Sequence, residues 1–441
     1  MEHKLYRPEG DPGLLKVLPY SVQQVLAMFV TNTVPIGIIC GAALPAIGQA
    51  EILSLIQAAM IAAGIATFIQ ATPLWKIGSG LPVFMGLSFT FVVPLTAVAA
   101  KYGYGTVIGT VLAGGLFEGL LGLTVRYWRR LMAPIVSAVV VTGIGLSLLS
   151  TAARSFGGGY VEDFGSLPNI LTGFITLSAC IAWMVLAKGT KKNLSILIGL
   201  AAGYISALLF GKVDLSGITA DGWFALPRLM PYPPVFRLDT IISICVIYLV
   251  SATETLGDAS AVTGGVLHRE LTRSEMTGAL MVDGLGSVLS GILGGTPVTS
   301  YSENVGLTIM TGVINLNVAR VGGVILVLAG LFPPVGRFVG SIPSPVIGGI
   351  LLVVLGQILV SGVEMIASAG FTARNKLIAS ISLSVAIGFT ASTEAGIWDS
   401  FPTWVRSIFS QNVVAVIFVI AILLNLILPR EPEGTKETGQ K

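Results

Sequence analysis

Hydrophobic runs recur along the whole chain, and their length constrains the fold more than any other feature of the sequence. A run of about 20 residues, coiled as a helix, is long enough to cross a hydrocarbon layer about 30 Å thick. Of the 441 residues, 54% are hydrophobic and only 11% are charged, which is too few charges to cover a soluble protein of this length. The sequence therefore predicts an all-α polytopic membrane protein.

About 14 segments satisfy this length criterion. They are centred near residues 30, 60, 88, 115, 141, 177, 202, 250, 285, 304, 327, 352, 384 and 420. An even number of spans places both termini on the same side of the membrane, and most of the 25 Lys and Arg residues fall on that side. The positive-inside rule then predicts a multi-pass protein of a plasma or inner membrane with both termini in the cytoplasm.

Two of these segments are interrupted by glycine, proline and polar residues. The third reads GSGLPVFMGLSFTFVVP, residues 78–94, and the tenth reads GGTPVTSYSENVGLTIMTG, residues 294–312. The longest polar connection, residues 212–238, follows the seventh segment, so the chain divides into seven plus seven spans, which suggests an inverted repeat. Interrupted spans at equivalent positions of two such repeats indicate a transporter binding site. A re-entrant loop that only packs is the alternative.

Five carboxylates lie well inside the hydrophobic segments: Glu118, Glu254, Asp258, Asp283 and Glu303. A charged group in a membrane span is unfavourable by about 2.5–3.5 kcal/mol on insertion scales, so each of them is a candidate functional residue. Almost no Lys or Arg lies at comparable depth to neutralise them, which favours protonated carboxyl groups. This chemistry suits a proton-coupled carrier.

The surroundings of these carboxylates differ. Glu254 and Asp258 are four residues apart, so they lie on one face of a helix and can share a proton or divide substrate binding and titration between them. Asp283 begins a run of small residues, where support of the scaffold is as good an interpretation as a direct role. For Glu118, in GGLFEGLLG, we favour a structural or interface role.

The segment ENVGLTIMTG, residues 303–312, resembles the signature of the nucleobase–ascorbate transporter family. That signature has Gln, Glu or Pro, then Asn-x-Gly, four residues, and Thr followed by Arg, Lys or Gly. The matching positions are Glu303, Asn304, Gly306, Thr311 and Gly312. Three other parts of the chain also resemble the family: the Glu-x-x-x-acid pattern of Glu254 and Asp258, DGLGS at Asp283, and LSFTF around Phe89.

This resemblance implies two inverted seven-span repeats, with short extended segments and half-helices in spans 3 and 10. Spans 1–4 (residues 1–125) and 8–11 (residues 230–338) would form a core domain. Spans 5–7 (residues 126–215) and 12–14 (residues 339–430) would form a gate domain, and residues 431–441 a cytoplasmic tail. Members of the family are usually dimers that carry uracil, xanthine, uric acid or related bases with protons. The resemblance thus implies a homodimeric proton symporter that needs no cofactor and is not an enzyme.

The resemblance also implies roles for residues of this chain. Glu254 and Glu303 would hydrogen-bond the base, and Phe89 would pack on its ring. Asp258 would couple the proton, with Asp283 in support, and Glu254 and Glu303 would also take part in proton binding. The remaining positions would complete or shape the site: Ser88, Tyr301, Ser302, Asn304, Gly306, Thr311, Gly312 and, in the first span, Gln24.

The residues that distinguish substrates within the family point in two directions. Glu303 and Tyr301 resemble the uracil carriers, whereas Asp258 and Gly312 resemble the purine carriers. We favour an oxidised purine such as xanthine or uric acid, with uracil as the alternative. A function of another class, an anion transporter or channel on the same fold, would use helix ends to hold the anion, and carboxylates in the site argue against it.

Other classes of function lack the residues that they require. The two histidines, His3 and His268, lie outside the hydrophobic segments, which disfavours a metalloprotease or a Ser-His enzyme in the membrane. The three cysteines have no metal-site spacing, and no block of basic residues suggests nucleic acid. We therefore expect a nucleobase and protons as ligands, no metal, and the lipid bilayer as the surroundings.

Overall fold

The computed structural model of the chain describes residues 4–29, 31–43, 47–128, 133–159, 163–213, 222–402, 405–406, 409–410 and 412–429. Within these residues the fold is predominantly helical, as the sequence predicts. The predicted tail, residues 431–441, lies outside them.

The helices divide between the two halves of the chain. Those of the first half are α1 (Leu14–Met28), α2 (Val34–Ala42), α3 (Gln49–Ala71), α4 (Val92–Tyr102), α5 (Tyr104–Trp128), α6 (Pro134–Phe156), α7 (Leu167–Leu186) and α8 (Ser195–Leu209). Those of the second half are α9 (Leu238–Gly265), α10 (Arg273–Ile292), α11 (Ser302–Thr311), α12 (Leu316–Leu331), α13 (Pro333–Gly340), α14 (Ser344–Ser368), α15 (Ala373–Ala391) and α16 (Val413–Ile427). Six of the described helices are long and apolar enough to span a membrane, or seven if α12 and α13, which meet at 82°, count as one.

Two three-residue strands, β1 (Met85–Leu87) and β2 (Val298–Ser300), lie inside the two interrupted segments and pair with each other. The pairing is antiparallel, with the register Met85–Ser300, Gly86–Thr299 and Leu87–Val298. A 3-10 turn (Phe89–Phe91) leads from β1 into α4, and α11 begins at Ser302, just after β2. The N-terminal ends of two short helical segments therefore lie at opposite ends of the strand pair.

Side chains from neighbouring segments satisfy the outer edges of the two strands. Three backbone N–H groups donate to side chains: Met85 to Thr67 Oγ1 (2.9 Å), Leu87 to Asn32 Oδ1 (2.8 Å) and Val298 to Ser287 Oγ (3.0 Å). Non-helical backbone is tolerated at membrane depth only when its polar groups are paired in this way or face water. Residues of α3, of α10 and of the link between α1 and α2 therefore hold the strand pair in place.

Two helix pairs that frame the strands pack with their backbones in direct contact. In the α3–α12 pair, a Cβ at Gly64 would lie 2.5 Å from the backbone oxygen of Gly323. In the α5–α10 pair, a Cβ at Gly115 would lie 2.7 Å from the backbone oxygen of Gly284. Only glycine, which lacks a Cβ, permits either contact. Because α3 also contacts β1 and α10 contacts β2, these two pairs fix the surroundings of the strands.

A second group of helices packs mainly within itself. Helix α14 lies against α6, α7 and α8, and α16 lies against α6 and α15. This group meets the helices around the strand pair chiefly at α9, which contacts both α6 and α16. Helix α9 thus lies between the strand pair and the second helix group.

Candidate functional site

The predicted site residues converge where α9 passes the strand pair. Glu254 and Asp258 lie one turn apart on α9, but they bind different segments. Thr90, in the 3-10 turn after β1, donates a hydrogen bond from Oγ1 to Glu254 Oε2 (2.9 Å). Glu254 is half-buried and forms no ion pair with any Lys or Arg in the described part of the chain. Its carboxyl group therefore faces the third segment and retains capacity for further hydrogen bonds.

Asp258 is bound to the tenth segment and is only 8% exposed. Its Oδ2 accepts hydrogen bonds from Ser300 Oγ (2.5 Å) and Ser302 Oγ (2.9 Å). Ser300 ends β2 and Ser302 begins α11, so Asp258 ties α9 to the point where the strand becomes a helix. A protonated carboxyl oxygen is a poorer acceptor, so protonation of Oδ2 would weaken this contact between α9 and the tenth segment.

Glu303 lies in the first turn of α11 and is half-buried. Its Oε2 is inaccessible to solvent and has no hydrogen-bond partner among the described residues. The hydroxyl of Ser88, just after β1, is likewise buried without such a partner. A buried polar atom left unpaired is unfavourable by roughly 1–3 kcal/mol, so both groups are available to a ligand.

The two aromatic residues that the sequence assigns to the site occupy different positions. Phe89 is half-buried at the start of the 3-10 turn, between Ser88 and Thr90. The ring of Tyr301 lies against the backbone of β1, since a Cβ at Gly86 would be 2.6 Å from Tyr301 Cε2. Phe89 therefore borders the site, whereas the Tyr301 ring packs on the strand pair.

Asn304 connects α11 to α1 through Gln24. Asn304 Nδ2 donates to the backbone oxygen of Gln24 (2.9 Å) and to its Oε1 (2.8 Å), and Gln24 Nε2 donates to Thr308 Oγ1 (3.0 Å). All three side chains are buried. These bonds fix the orientation of α11. Asn304 Oδ1 has no partner in the described chain and is the polar atom of this group that a ligand could use.

The remaining signature residues shape the end and the surface of α11. Thr311 Oγ1 donates to the backbone oxygen of Leu307 (2.8 Å) and so closes the last turn. Gly312 follows with a φ of 67°, a left-handed conformation that favours glycine and ends many helices. Gly306 is exposed, and a Cβ there would meet nothing within 4 Å, so packing does not require glycine at this position.

Asp283, in α10, is fully buried. Its Oδ2 accepts hydrogen bonds from Thr255 Oγ1 on α9 and from Thr299 Oγ1 in β2, the latter at 3.3 Å. Asp283 therefore joins α10, α9 and the strand pair, a position that suits support of the scaffold. Its Oδ1 has no partner among the described residues.

Sequence reasoning did not identify three hydroxyl residues that lie beside these carboxylates: Thr255, Thr299 and Ser300. A signal for the first of them is present on α9, where Ser251, Thr255 and Asp258 recur at helical spacing and form a polar face. The two residues of β2 carry no such signal, because a three-residue strand is too short to show a period.

The site has the chemistry of a transporter. Within the described residues, no group of three or more His, Cys, Asp or Glu side chains could hold a metal ion. Carboxyl, hydroxyl and backbone groups instead gather at the N-terminal ends of two short helical segments inside a helical bundle. Discontinuous helices of this kind form the binding sites of secondary transporters. Fold and site together define a membrane transport protein.

Comparison with known proteins identifies the family. Residues 15–395 match the family model Xan_ur_permease, described as a permease family. The chain belongs to this family, the nucleobase–ascorbate transporters, which confirms the prediction from the signature. It is therefore a multi-pass membrane permease and not an enzyme.

Two relatives match over nearly the whole chain. The uric acid permease PucJ of Bacillus subtilis is 31% identical over 418 residues, which cover 93% of this chain and 92% of the relative. The xanthine permease XanQ of Escherichia coli is 31% identical over 441 residues, which cover 96% of this chain and 94% of the relative. The chain is thus similar in sequence to purine permeases over its full fold.

A solved structure shares the fold. The transmembrane domain of a cyanobacterial bicarbonate transporter, BicA, aligns with a TM-score of 0.56 and covers 93% of this chain and 97% of its own. The two sequences are 18% identical, so the likeness concerns the fold alone.

Proposed function

We propose that the protein is a proton-coupled symporter that imports a purine base, such as xanthine or uric acid, by alternating access. One observation carries this proposal. The carboxyl groups of Glu254 and Glu303 lie at the two broken segments without a Lys or Arg partner in the described chain. Carboxyl groups that can both donate and accept hydrogen bonds are complementary to the alternating N–H and C=O groups of an oxidised purine.

The base would bind between the third and tenth segments. Glu254 and Glu303 would each bind one polar edge, and Phe89, which is half-buried beside them, would pack on the ring. The unpartnered hydroxyl of Ser88 and the backbone around Ser302 would complete the hydrogen bonds. Binding then satisfies buried polar atoms that are otherwise unpaired, which favours the loaded site.

Asp258 would couple proton binding to the conformational change of the carrier. In the present structure two hydroxyl groups donate to the same oxygen of Asp258, an arrangement that suits the ionised form. Protonation would break this arrangement and change how α11 is held against α9. A proton and a base that both act on the tenth segment can favour the same conformational change, which is the requirement for symport.

The proposed architecture is 14 spans in two inverted repeats. A core of residues 1–125 and 230–338 would move against a gate of residues 126–215 and 339–430. Two features support the repeat: the paired strands lie in the third and tenth segments, and the glycine contact of α3 with α12 has its counterpart in that of α5 with α10. We further propose a homodimer in the plasma or inner membrane, with both termini in the cytoplasm.

Radiolabelled uptake with competing bases tests the substrate and the coupling. Cells that express the protein would receive labelled xanthine with an excess of uric acid, guanine or uracil, with and without a protonophore. We expect competition by oxidised purines and loss of uptake with the protonophore. The relatives named as uric acid and xanthine permeases, together with Asp258 and Gly312, favour the purine. Preferred uptake of uracil would instead follow Glu303 and Tyr301 and would leave the fold and the coupling unchanged.

The double variant Glu254→Gln plus Glu303→Gln tests the mechanism. Each glutamine keeps the size of the side chain and removes its ability to bind a proton, so proton-driven uptake should be lost. Unchanged proton-driven uptake would refute the proposed role of these carboxyl groups.

An anion carrier is the second candidate, because the N-terminal ends at Phe89 and Ser302 resemble anion sites and BicA shares the fold. The half-buried Glu254 and Glu303 oppose it, since a carboxylate repels an anion. Bicarbonate-dependent uptake in vesicles, without competition by any base, would favour the anion carrier.

A further inference from the structure

Glu118 on α5 is a buried carboxyl group to which the transport cycle above gives no role. Its side chain is 0% exposed, and neither oxygen has a partner with hydrogen-bond geometry among the described residues. The outward face of α5 carries Leu116, Leu120 and Leu123, so Glu118 points into the bundle. A carboxyl group that only supported the scaffold would be expected to bond to its neighbours.

Asp283 lies on α10 where that helix packs closely against α5, and it directly precedes Gly284 as Glu118 directly precedes Gly119, the two glycines whose backbones meet there. The two residues flank the closest approach of their helices, where a Cβ at Gly284 would lie 2.5 Å from the backbone oxygen of Gly115. Asp283 is also 0% exposed, and its Oδ1 lacks a partner within the described chain. Two negative charges held together without solvent would repel strongly, so this pair is suited to share a proton.

Hydroxyl groups connect the pair to the substrate site. Ser300 Oγ lies 2.5 Å from Asp258 Oδ2 and 3.4 Å from Thr255 Oγ1, and Thr255 Oγ1 bonds to Asp283 Oδ2. The carboxyl group of Asp258 would donate its proton to the Ser300 hydroxyl, which would pass its own proton to the Thr255 hydroxyl. Thr255 would in turn pass its proton to the carboxylate of Asp283. Asp258 ends ionised, Asp283 ends neutral, and both hydroxyl groups are restored.

The other groups around Glu118 do not supply a compensating cation. Helix α9 presents Glu254, Ser251 and Tyr248. The Ser251 hydroxyl lies beside Glu118 but donates to Thr299 Oγ1 (3.2 Å), and Tyr248 donates to the backbone oxygen of Val111 (3.2 Å). Helix α4 carries its ionisable residues, Lys101 and Tyr102, at its end beside the start of α5. The intervening helix from Tyr104 to Glu118 is about 21 Å long.

We infer that Glu118 and Asp283 form an inner proton-holding pair, which takes up the coupling proton from Asp258 through Ser300 and Thr255 and returns it for release. This inference rests on the proposed proton symport and adds a second place for the proton. It makes Glu118 a coupling residue that never touches the base. Loss of Glu118 should therefore uncouple transport from the proton gradient while substrate binding and exchange persist.

Proteoliposomes that contain the purified protein separate these functions. With a pH gradient of about one unit, acidic outside, and the membrane potential held at zero, one proton per base gives about tenfold accumulation of labelled xanthine, or of uracil if competition identifies uracil as the substrate. We expect Glu118→Gln to reduce this accumulation to nearly equal concentrations on both sides. Exchange of internal for external base without a gradient should proceed at a rate close to that of the parent protein.

Two control variants and the parent protein make the result decisive. Glu364→Gln, the same change at an exposed glutamate of α14, should leave accumulation intact. Glu118→Asp, which keeps a carboxyl group, should restore part of it. If Glu118→Gln leaves both accumulation and exchange unchanged, or lowers both in proportion to the amount of folded protein, the inner pair is refuted. If the parent protein itself ignores the pH gradient, proton symport is refuted instead.

Discussion

The third and tenth segments pair with each other, yet they bring different chemistry to the same site. β1 and its 3-10 turn contribute the Phe89 ring and hydroxyl groups but no ionisable side chain. The tenth segment contributes Glu303, and the hydroxyl groups beside β2 bind Asp258. The difference teaches that paired segments can contribute different chemistry: the third segment offers a packing surface, and the tenth offers a carboxyl group and hydroxyl groups that can form hydrogen bonds.

The variant with the largest expected effect on uptake compares the tenth segment with the third. Glu303→Gln keeps the side-chain size but removes the proton site, and we expect kcat/KM for proton-driven uptake to fall about 10- to 100-fold, which corresponds to roughly 1.5–3 kcal/mol. Ser88→Ala, the matched change in the third segment, should alter it less than about threefold. Initial uptake rates at equal protein abundance measure both. Equal losses would contradict the division of roles.

The register partners Gly86 and Thr299 compare packing with hydrogen bonding in the strand pair. Gly86→Ala would bring a Cβ within 2.6 Å of the Tyr301 ring, and overpacking of this kind lowers the free energy of unfolding by about 1–3 kcal/mol. Thr299→Ala removes a hydroxyl that donates to Asp283 and accepts from Ser251, and each hydrogen bond contributes about 1 kcal/mol. Thermal unfolding in detergent would rank the two. A larger effect of Thr299→Ala would show that hydrogen bonds matter more than packing here.

Asn304→Ala removes the hydrogen bonds that join α11 to α1, and it should destabilise α11 without affecting α4, the short helix of the third segment. We expect a loss of about 1–2 kcal/mol, concentrated in α11, because Asn304 donates twice to Gln24. Hydrogen–deuterium exchange should therefore rise in residues 302–311 and stay unchanged in residues 92–102. A uniform rise in both helices would mean that these hydrogen bonds stabilise the whole bundle.

The last comparison concerns the hydrogen bond that the third segment makes to Glu254. Thr90→Val removes the hydroxyl that donates to Glu254, a loss of about 1 kcal/mol or roughly fivefold in KM. Thr90→Ser keeps the hydroxyl and should behave like the parent protein. Competition curves with unlabelled base give the two values. If Thr90→Val matched Glu303→Gln in its effect, the third segment would carry more of the binding than its side chains suggest.

Local signals account for what the sequence could predict. Glycine, proline and polar residues inside hydrophobic runs mark both broken segments, and a spacing of four places Glu254 and Asp258 on one face of α9. The pairing of β1 with β2 joins residues far apart in the chain, so no local pattern contains it. Spacing likewise does not reveal that Glu254 bonds to Thr90 whereas Asp258 bonds to Ser300, because partners across segments depend on tertiary packing.

The predicted number of spans illustrates the same limit. Helices such as α3 and α14 are long enough to be recognised by length and hydropathy. Segments built from a strand and a short helix, such as β2 with α11, contain no helix long enough to count as a span by itself. Their place in the bundle follows from tertiary contacts rather than from their own sequence.

The antiparallel strand pair also limits how the protein can open. β1 and β2 pair their backbone groups with each other, and Thr67 and Ser287 occupy groups at their outer edges. Separation of the two segments would leave backbone N–H and C=O groups unpaired where water is scarce. In the proposed alternating-access cycle, the strand pair would therefore stay intact and would move together with the bound base. The gates on either side of the membrane would then be formed by the helices that pack around the strand pair.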